Sequence, residues 1–263
     1  MTPQTILTTI DEQGLATLTM NRPEIHNAFD DALIKLMTAE LHRLEGDPDV
    51  RAIILVANGK SFSAGADLAW MRRMADYSHE ENLSDALSLA ELMQTLYQLK
   101  KPTIARVQGA AYGGGVGLVA CCDMVIASEN SVFCLSEVKL GLIPAVISPY
   151  VVAAMGSRAT RRYFQSAEVF SAAEAYRWGL VHEVVAAEEL GAAVESLASK
   201  LLRNGPIAMA AAKELVARVA AENIDATLIN DTAKRIAAIR ASAEGKEGLS
   251  SFLEKRSPAW VKG

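Results

Sequence analysis

The pattern of apolar and polar positions near the start of the chain predicts two strands and an amphipathic helix. Ile6–Thr9 and Leu15–Met20 are rich in β-branched residues and are separated by a short polar turn, which is typical of a β-hairpin. Leucine and methionine then recur at helical spacing over Asp31–Leu44. Asn27 or Asp30 can cap this helix.

A continuous apolar run and the small residues after it form the next unit. Ala52–Ala57 has no polar position, so we expect a strand buried on both faces. Gly59–Leu68 then presents backbone N–H groups beside small side chains, and Asp67 can cap a helix that begins near Leu68. The polar stretch Met71–Asn82 predicts a mobile surface segment.

The stretch Ala105–Pro144 organises the chain. Its pattern predicts an apolar strand leading into a glycine-rich loop, Gln108–Gly115, and then a buried helix over Val116–Cys122. Two short strands follow, and Glu137 then stands nearly alone among apolar neighbours. Glycines without a Cβ, followed by a helix start, expose backbone N–H groups that suit a developing oxyanion. The alternative is that the glycines form a tight turn and Glu137 ends a strand in solvent.

The last part of the chain is rich in alanine and carries no strand signal. Helices are predicted over residues 188–204, 206–222, 224–240 and 246–255. Before them, Ser171 and Glu174 have the spacing of a capping box. We therefore expect a core over residues 1–190 that contains the candidate site. A helical lid or assembly region over residues 191–263 follows it.

Composition narrows the classes of function. The chain has 263 residues, of which 51% are apolar and 22% charged, and its net charge of −5 argues against a general nucleic-acid binder. Its three cysteines lie in apolar surroundings without zinc-ligand spacing, which favours reduced thiols in the cytoplasm and no metal site. We also expect no signal peptide and no membrane span.

Several short motifs, taken in order, resemble the enoyl-CoA hydratase/isomerase (crotonase) superfamily. They are Asn21–Arg22–Pro23 with Asn27–Ala28, Phe62–Leu68, Gln108–Gly115, Cys122–Asp123, Glu137 with Gly141 and Pro144, Ala173–Glu174 with Gly179–Val181, and Glu247–Gly248 with Phe252 and Glu254–Arg256. Each motif is weak alone, but together they span nearly the whole chain. The resemblance implies an α/β spiral of ββα repeats with a C-terminal all-helical trimerisation region, assembled as a trimer or a hexamer.

The resemblance also implies an acyl-CoA thioester substrate and assigns the site. The backbone N–H groups of Ala66 and Gly114 match the family's oxyanion hole, and Glu137 matches one of its two catalytic glutamates. Residues implied to bind substrate or CoA are Ala64, Ala66, Asp67, Leu68, Gly113, Phe252 and Lys255, the last two acting from a neighbouring subunit. No metal or prosthetic group is implied, and coenzyme A is part of the substrate.

Two departures from the family pattern bear on the reaction. The first family glutamate falls on Gly117, which leaves open how water is activated: by Glu137 alone, or with Ala145 N–H, Asp67 or Ser136. The segment Ile143–Tyr150 resembles the bacterial branch that includes 3-methylglutaconyl-CoA hydratases, whose substrates carry a distal carboxylate. Arg72 or Arg73 could receive that carboxylate.

The predicted function is therefore reversible addition of water across the 2,3-double bond of an enoyl-CoA. A Δ3,Δ2-enoyl-CoA isomerase is the main alternative, because one carboxylate suffices to shuttle one proton. A CoA-thioester hydrolase and a non-catalytic CoA- or RNA-binding relative are weaker alternatives, and the negative net charge argues against RNA.

Overall fold

The computed structural model describes residues 4–220 and 222–261. Three parts of the sequence predictions lie outside the described residues. They are residues 1–3 of the predicted core, residues 262–263 of the predicted helical region, and position 221 of the predicted helix 206–222. The strands are β1 (Ile6–Ile10), β2 (Leu15–Met20), β3 (Ala52–Ala57), β4 (Thr103–Val107), β5 (Ala110–Tyr112), β6 (Met124–Ser128), β7 (Val132–Cys134), β8 (Phe170–Ser171) and β9 (Glu183–Val185). The helices are α1 (Asp31–Gly46), α2 (Leu68–Met74), α3 (His79–Gln98), α4 (Gly114–Cys121), α5 (Ser148–Ser166), α6 (Ala172–Arg177), α7 (Leu190–Leu202), α8 (Pro206–Val219), α9 (Ala226–Ala241) and α10 (Ala243–Leu253).

Two sheets form the framework. The larger has the order β1-β2-β3-β4-β6-β9, and all its neighbouring strands are parallel except the β1–β2 hairpin. The smaller has the order β5-β7-β8. All six residues of β3 are buried, as expected for a strand covered on both faces of a parallel sheet. This is the mixed α/β architecture with a helical C-terminal region that the sequence predicts.

Alternate residues of β3 face two different cores. Ile53 and Leu55 belong to the main core, where α1, α3, α4 and α5 contribute buried side chains. Ile54 and Val56 face a smaller cluster formed with α7 on the other side of the sheet. Because successive strand residues point to opposite faces, one strand serves both cores.

The C-terminal helices α8–α10 bury little of their own surface. All residues of α8 are described and none is buried, whereas α9 buries Leu228 and α10 buries Ser251. Phe252 is 80% and Leu253 77% exposed. A salt bridge of 2.8 Å from Lys213 to Asp123 joins α8 to the core. These helices therefore present apolar side chains that a single chain leaves uncovered.

Three local predictions require correction. Met71–Asn82 is mostly helical, because α2 ends at Met74 and α3 begins after a capping box formed by Ser78 and Glu81. The predicted loop Gln108–Gly115 contains β5 and the first two residues of α4. At the start of α1 the cap is Asp30, whose carboxylate accepts from Leu33 N at 2.8 Å, and Asn27 takes no part.

Candidate active site

The two glycine-containing segments lie side by side in the structure. Ser63 N donates to Ala110 O at 3.0 Å, and Tyr112 N donates to Ser63 O at 2.9 Å. The contact is close: a Cβ on Gly115 would lie only 2.9 Å from Ser63 Cβ. The sequence predicts that these segments act together, and this backbone bridge fixes their relative position.

Two backbone N–H groups at this junction make no hydrogen bond to any residue that the structure describes. On either side of Ala66, Phe29 N donates to Gly65 O and Asp67 N donates to Phe29 O, each at 2.7 Å. In such a parallel bridge the N–H of Ala66 points away from Phe29. Among residues 4–220 and 222–261, neither Ala66 N–H nor Gly114 N–H has an acceptor. The two predicted oxyanion donors are thus both uncommitted.

Glu137 lies against the start of α4. Strand β5 pairs with β7, and Gly113 N donates to Cys134 O at 2.9 Å, which brings the 3-10 helix Glu137–Leu140 beside the glycines. A Cβ on Gly113, whose φ is +50°, would lie 3.3 Å from Glu137 Oε1 and 3.9 Å from Gly65 Cα. A side chain at position 113 would therefore fill the space between the carboxylate and both donor segments.

The environment of Glu137 favours its protonated form. Its side chain is half-buried, and Oε2 has no hydrogen-bond partner within the described part of the chain. Burial raises the pKa of Glu137 above the ordinary carboxyl value, and a hydrogen bond from its own backbone N–H opposes this only in part. A carboxyl group with a raised pKa and a free oxygen is better suited to proton transfer than a fully solvated carboxylate is.

Position 117 has no room for a side chain. A Cβ on Gly117 would lie 2.3 Å from Ile147 Cγ2 and 3.0 Å from Met93 Cε. Ile147 is 3% exposed and Met93 is fully buried, so both belong to the packed core. The glutamate missing from position 117 is thus replaced by hydrocarbon packed from α3 and from the residue preceding α5. The sequence shows that position 117 lacks the family's glutamate, but it does not show that Ile147 packs against that position.

The three groups that could assist Glu137 in activating water differ in the hydrogen bonds that they already make. Ala145 N already donates to Ile143 O at 2.8 Å, so that N–H is engaged. Asp67 caps α2 by accepting from two backbone N–H groups and lies 3.7 Å from the Arg22 guanidinium. The hydroxyl of Ser136 makes no hydrogen bond to any described residue. Ser136 is therefore the uncommitted one of the three.

The predicted CoA-binding residues fall in two places. Ala64, Ala66 and Leu68 alternate along an exposed edge, where a long ligand could lie. Phe252 and Lys255 are on and just after α10, which packs against α8 and α9. Both side chains are exposed on this helical C-terminal region of the single chain.

The two arginines of α2 are in different situations. The guanidinium of Arg73 pairs with the carboxylate of Asp31, and its pKa is raised by hydrogen bonding to Tyr77 and by that negative charge. Arg72 is exposed and has no hydrogen-bond or ion-pair partner in the described chain. Arg72 is thus the arginine of this pair whose charge is not already neutralised.

Residues 4–220 and 222–261 lack the features of two other classes of site. No cluster of three or more histidine, cysteine, aspartate or glutamate side chains there could hold a metal ion. None of the helices in that part of the chain is both long and apolar enough to span a membrane. The three cysteines are free and buried.

Comparisons with known proteins agree with this geometry. The family model described as enoyl-CoA hydratase/isomerase matches residues 11–263. A crystal structure of an enoyl-CoA hydratase/isomerase (crotonase) from Legionella pneumophila is 51% identical, covers 97% of this chain and 98% of its own, and superposes with a TM-score of 0.94. The chain therefore belongs to the enoyl-CoA hydratase/isomerase family and has the crotonase fold.

Two curated relatives carry specific names. The 2,3-dehydroadipyl-CoA hydratase of Escherichia coli is 32% identical over 94% of this chain and 95% of its own length. The crotonyl-CoA hydratase of Syntrophomonas wolfei is 33% identical over 95% of each. Such names support an enzyme of the hydro-lyase class. Because the two relatives are named for different acyl groups at nearly equal identity, they do not discriminate between acyl groups for this chain.

Proposed function

We propose that the protein is an enoyl-CoA hydratase that uses Glu137 as its one proton-transfer side chain. The observation that carries the proposal is the placement of a half-buried carboxylate, with one free oxygen, beside Gly113 and the uncommitted N–H of Gly114. Two converging backbone donors stabilise the negative charge that develops on a thioester oxygen. Losing one such donor typically costs about 3–4 kcal/mol in the transition state.

A single carboxyl group is sufficient to balance the reaction. The water oxygen bonds to C3 of the enoyl group while a water proton passes to the unprotonated, carbonyl oxygen of the neutral Glu137 carboxyl group. The protonated oxygen of the same carboxyl gives its proton to C2, so Glu137 ends in the state in which it began. Burial raises the pKa of Glu137, which is the direction that favours the neutral carboxyl this step begins from. The hydroxyl of Ser136 is a candidate to orient the water.

A Δ3,Δ2-enoyl-CoA isomerase is the second candidate, and the packing at position 117 favours it. Ile147 occupies the space that a side chain at 117 would enter, so no second carboxylate can reach the site from α4. Moving one proton between C4 and C2 needs one carboxylate and no activated water. The same donors and the same Glu137 would serve either reaction.

Absorbance of the conjugated thioester distinguishes the two reactions. We expect purified protein to remove conjugation from a short 2-enoyl-CoA, with a Glu137→Gln loss of roughly 10²–10⁴-fold in rate. Glu129→Gln is a matched control, because Glu129 is an exposed glutamate in the turn after β6. No loss of conjugation from 2-enoyl-CoA, together with a gain of conjugation from 3-enoyl-CoA, would identify an isomerase and refute the hydratase proposal.

We propose a branched substrate with a distal carboxylate, such as 3-methylglutaconyl-CoA, as the finer assignment. The unpaired charge of Arg72 on α2 supports it, because Arg73 is neutralised by Asp31. Arg72→Gln should raise KM for 3-methylglutaconyl-CoA and leave KM for crotonyl-CoA unchanged. Arg73→Gln is the matched control. Equal effects of Arg72→Gln on both substrates would contradict this role.

We propose that the enzyme assembles as a trimer or as a dimer of trimers through α8–α10. The apolar side chains left exposed on α10, Phe252 and Leu253, support an intersubunit surface. In that assembly Phe252 and Lys255 would reach CoA lying along Ala64, Asp67 and Leu68 of a neighbouring subunit. Light scattering of the wild type and of Leu253→Asp tests this, with a shift to smaller species expected. An unchanged mass would contradict it.

The remaining parts of the proposal concern cofactors, partners and compartment. The reaction written above needs no redox cofactor, metal or prosthetic group, and coenzyme A is carried by the substrate. Three free and buried cysteines support a reducing compartment, the cytoplasm. The net charge of −5 supports the absence of a nucleic-acid partner, which a gel-shift assay at low and high salt would check.

A further inference from the structure

The loop before α1 contains two consecutive residues in an unusual backbone conformation. His26 has φ 55° and Asn27 has φ 53°, in the left-handed region that residues other than glycine rarely adopt. Such conformations persist only where the surroundings hold them, and they concentrate at functional sites. The contacts of this pair therefore indicate what the loop is shaped to hold.

The side chain of Asn27 is fully buried, and both of its polar atoms are hydrogen-bonded. Its Oδ1 accepts from Arg22 N at 2.8 Å, within the same loop. Its Nδ2 donates to Asn58 O and to Ser61 O, each at 2.9 Å. The amide thus ties the end of β3 and the beginning of the oxyanion segment, residues 61–67, to the loop before α1.

Backbone contacts of the same loop continue along the oxyanion segment. Ser63 Oγ donates to Asn27 O at 2.9 Å and accepts from Gly65 N at 3.3 Å. Ala64 N donates to His26 O at 2.9 Å. Together with the Phe29 bridge described above, these bonds occupy the polar groups on both sides of Ala66 and leave Ala66 N–H free.

We propose that Asn27 is a positioning residue that sets the direction of the Ala66 N–H and hence the strength of the oxyanion hole. The proposal rests on the proposed acyl-CoA chemistry but not on whether the reaction is hydration or isomerisation. Asn27 does not itself reach the reacting atoms. It acts by holding Ser61 and Ser63, so that the segment ends with Ala66 aimed at the thioester oxygen.

Asn27→Asp is the sharpest test. The substitution keeps size and shape but removes both N–H donors and sets a carboxylate against Asn58 O and Ser61 O. We expect kcat to fall roughly 10- to 100-fold, as a small misplacement at a reacting centre does, with KM changed less than about threefold. Asn21→Asp is the matched control, because Asn21 lies in the same loop and bonds to Gln4 O and Asn58 Nδ2.

A spectroscopic measurement separates positioning from folding and from turnover. A bound, unreactive acyl-CoA with a conjugated thioester should show a red-shifted absorbance when two donors polarise its carbonyl. We expect the wild type and Asn21→Asp to give this shift and Asn27→Asp to lose most of it. If Asn27→Asp does not fold, Ser63→Ala provides the test, since it breaks the bonds to Asn27 O and Gly65 N without adding charge.

The outcomes are distinct for the two proposals. A folded Asn27→Asp or Ser63→Ala that keeps the wild-type kcat and red shift, and loses only stability, would overturn the positioning role. A wild type that polarises the thioester but neither hydrates nor isomerises any enoyl-CoA would refute the proposed function and leave the positioning role intact.

Discussion

Gly117→Ala is predicted to destabilise the protein although alanine is the better helix former. The added methyl would lie 2.3 Å from Ile147 Cγ2, well inside the 3.0 Å that Cβ contacts almost never cross. The residue is buried in α4, and its neighbours Ile147 and Met93 are buried as well. The methyl can therefore enter only if Ile147, the residue before α5, moves.

Two opposing contributions set the change in the free energy of unfolding caused by Gly117→Ala. Replacing glycine by alanine inside a helix stabilises by about 0.5–1 kcal/mol. Overpacking a core by one methyl typically costs about 1–3 kcal/mol. We therefore expect a net loss of about 1 kcal/mol, and of at most about 2.5 kcal/mol. Ile147→Ala alone should cost about 2–5 kcal/mol by leaving a cavity.

A double-mutant cycle in chemical denaturation measures the coupling between the two positions. In the Ile147→Ala background the clash with Cγ2 is gone, so Gly117→Ala should become neutral or stabilising, a coupling of about 1–3 kcal/mol. Gly191→Ala in α7 is the matched control, because no described residue lies within 4 Å of the position that its added methyl would take and only the helix gain is expected. Protomer concentration must be equal in all samples, because assembly also stabilises the folded state.

Additive effects of Gly117→Ala and Ile147→Ala would refute this reasoning, as would a Gly117→Ala protein as stable as Gly191→Ala. Either result would mean that α4 and the start of α5 have room that the structure does not show. The proposal that one carboxylate serves the site would then lose its steric support, because a longer side chain at position 117 would also fit.

Three further predictions concern groups described above. The folded chain holds the proton of Glu137 to higher pH than the unfolded chain does, so this group's contribution to stability is full below pH 4.5 and is lost as the pH rises through the raised pKa. Glu137→Gln should therefore be as stable as the wild type below pH 4.5 and more stable than the wild type at a pH above the raised pKa. Equal stability of the two proteins at every pH would contradict the raised pKa. The native thiols should not react with a thiol reagent at neutral pH, since burial raises the pKa of Cys122 to about 12, and reaction without denaturant would contradict this. Asp67→Ala should lower the free energy of unfolding by about 1 kcal/mol through loss of the α2 cap, whereas Asp67→Asn should recover most of it.

Local signals in the sequence account for the parts of the fold that can be predicted well. Asp67 and the Ser171–Glu174 pair cap their helices as expected, because a cap depends on residues within one turn. The start of α3 within Met71–Asn82 carries the same kind of signal. Ser78 and Glu81 have capping-box spacing, and the polar composition of the segment obscures it.

Contacts between distant parts of the chain account for what the sequence does not reveal. Strand β5 is a three-residue alanine-rich segment that exists by pairing with β7, so nothing local marks it as a strand. The absence of a glutamate at position 117 is visible in the sequence, but its replacement by Ile147 is not. The same holds for Asn27, whose position suits a helix cap but whose amide is instead bonded to Ser61, 34 residues away.

The way the site is tied together has a consequence for refolding. The oxyanion segment is joined to the loop before α1 and to β5 by isolated bridges, Phe29–Ala66 and Ser63–Ala111, between residues tens of positions apart. Bringing such segments together costs chain entropy before any contact compensates for it. We therefore expect helical circular dichroism to return before the two proposed donors converge, so polarisation of a bound thioester should recover later than helix content.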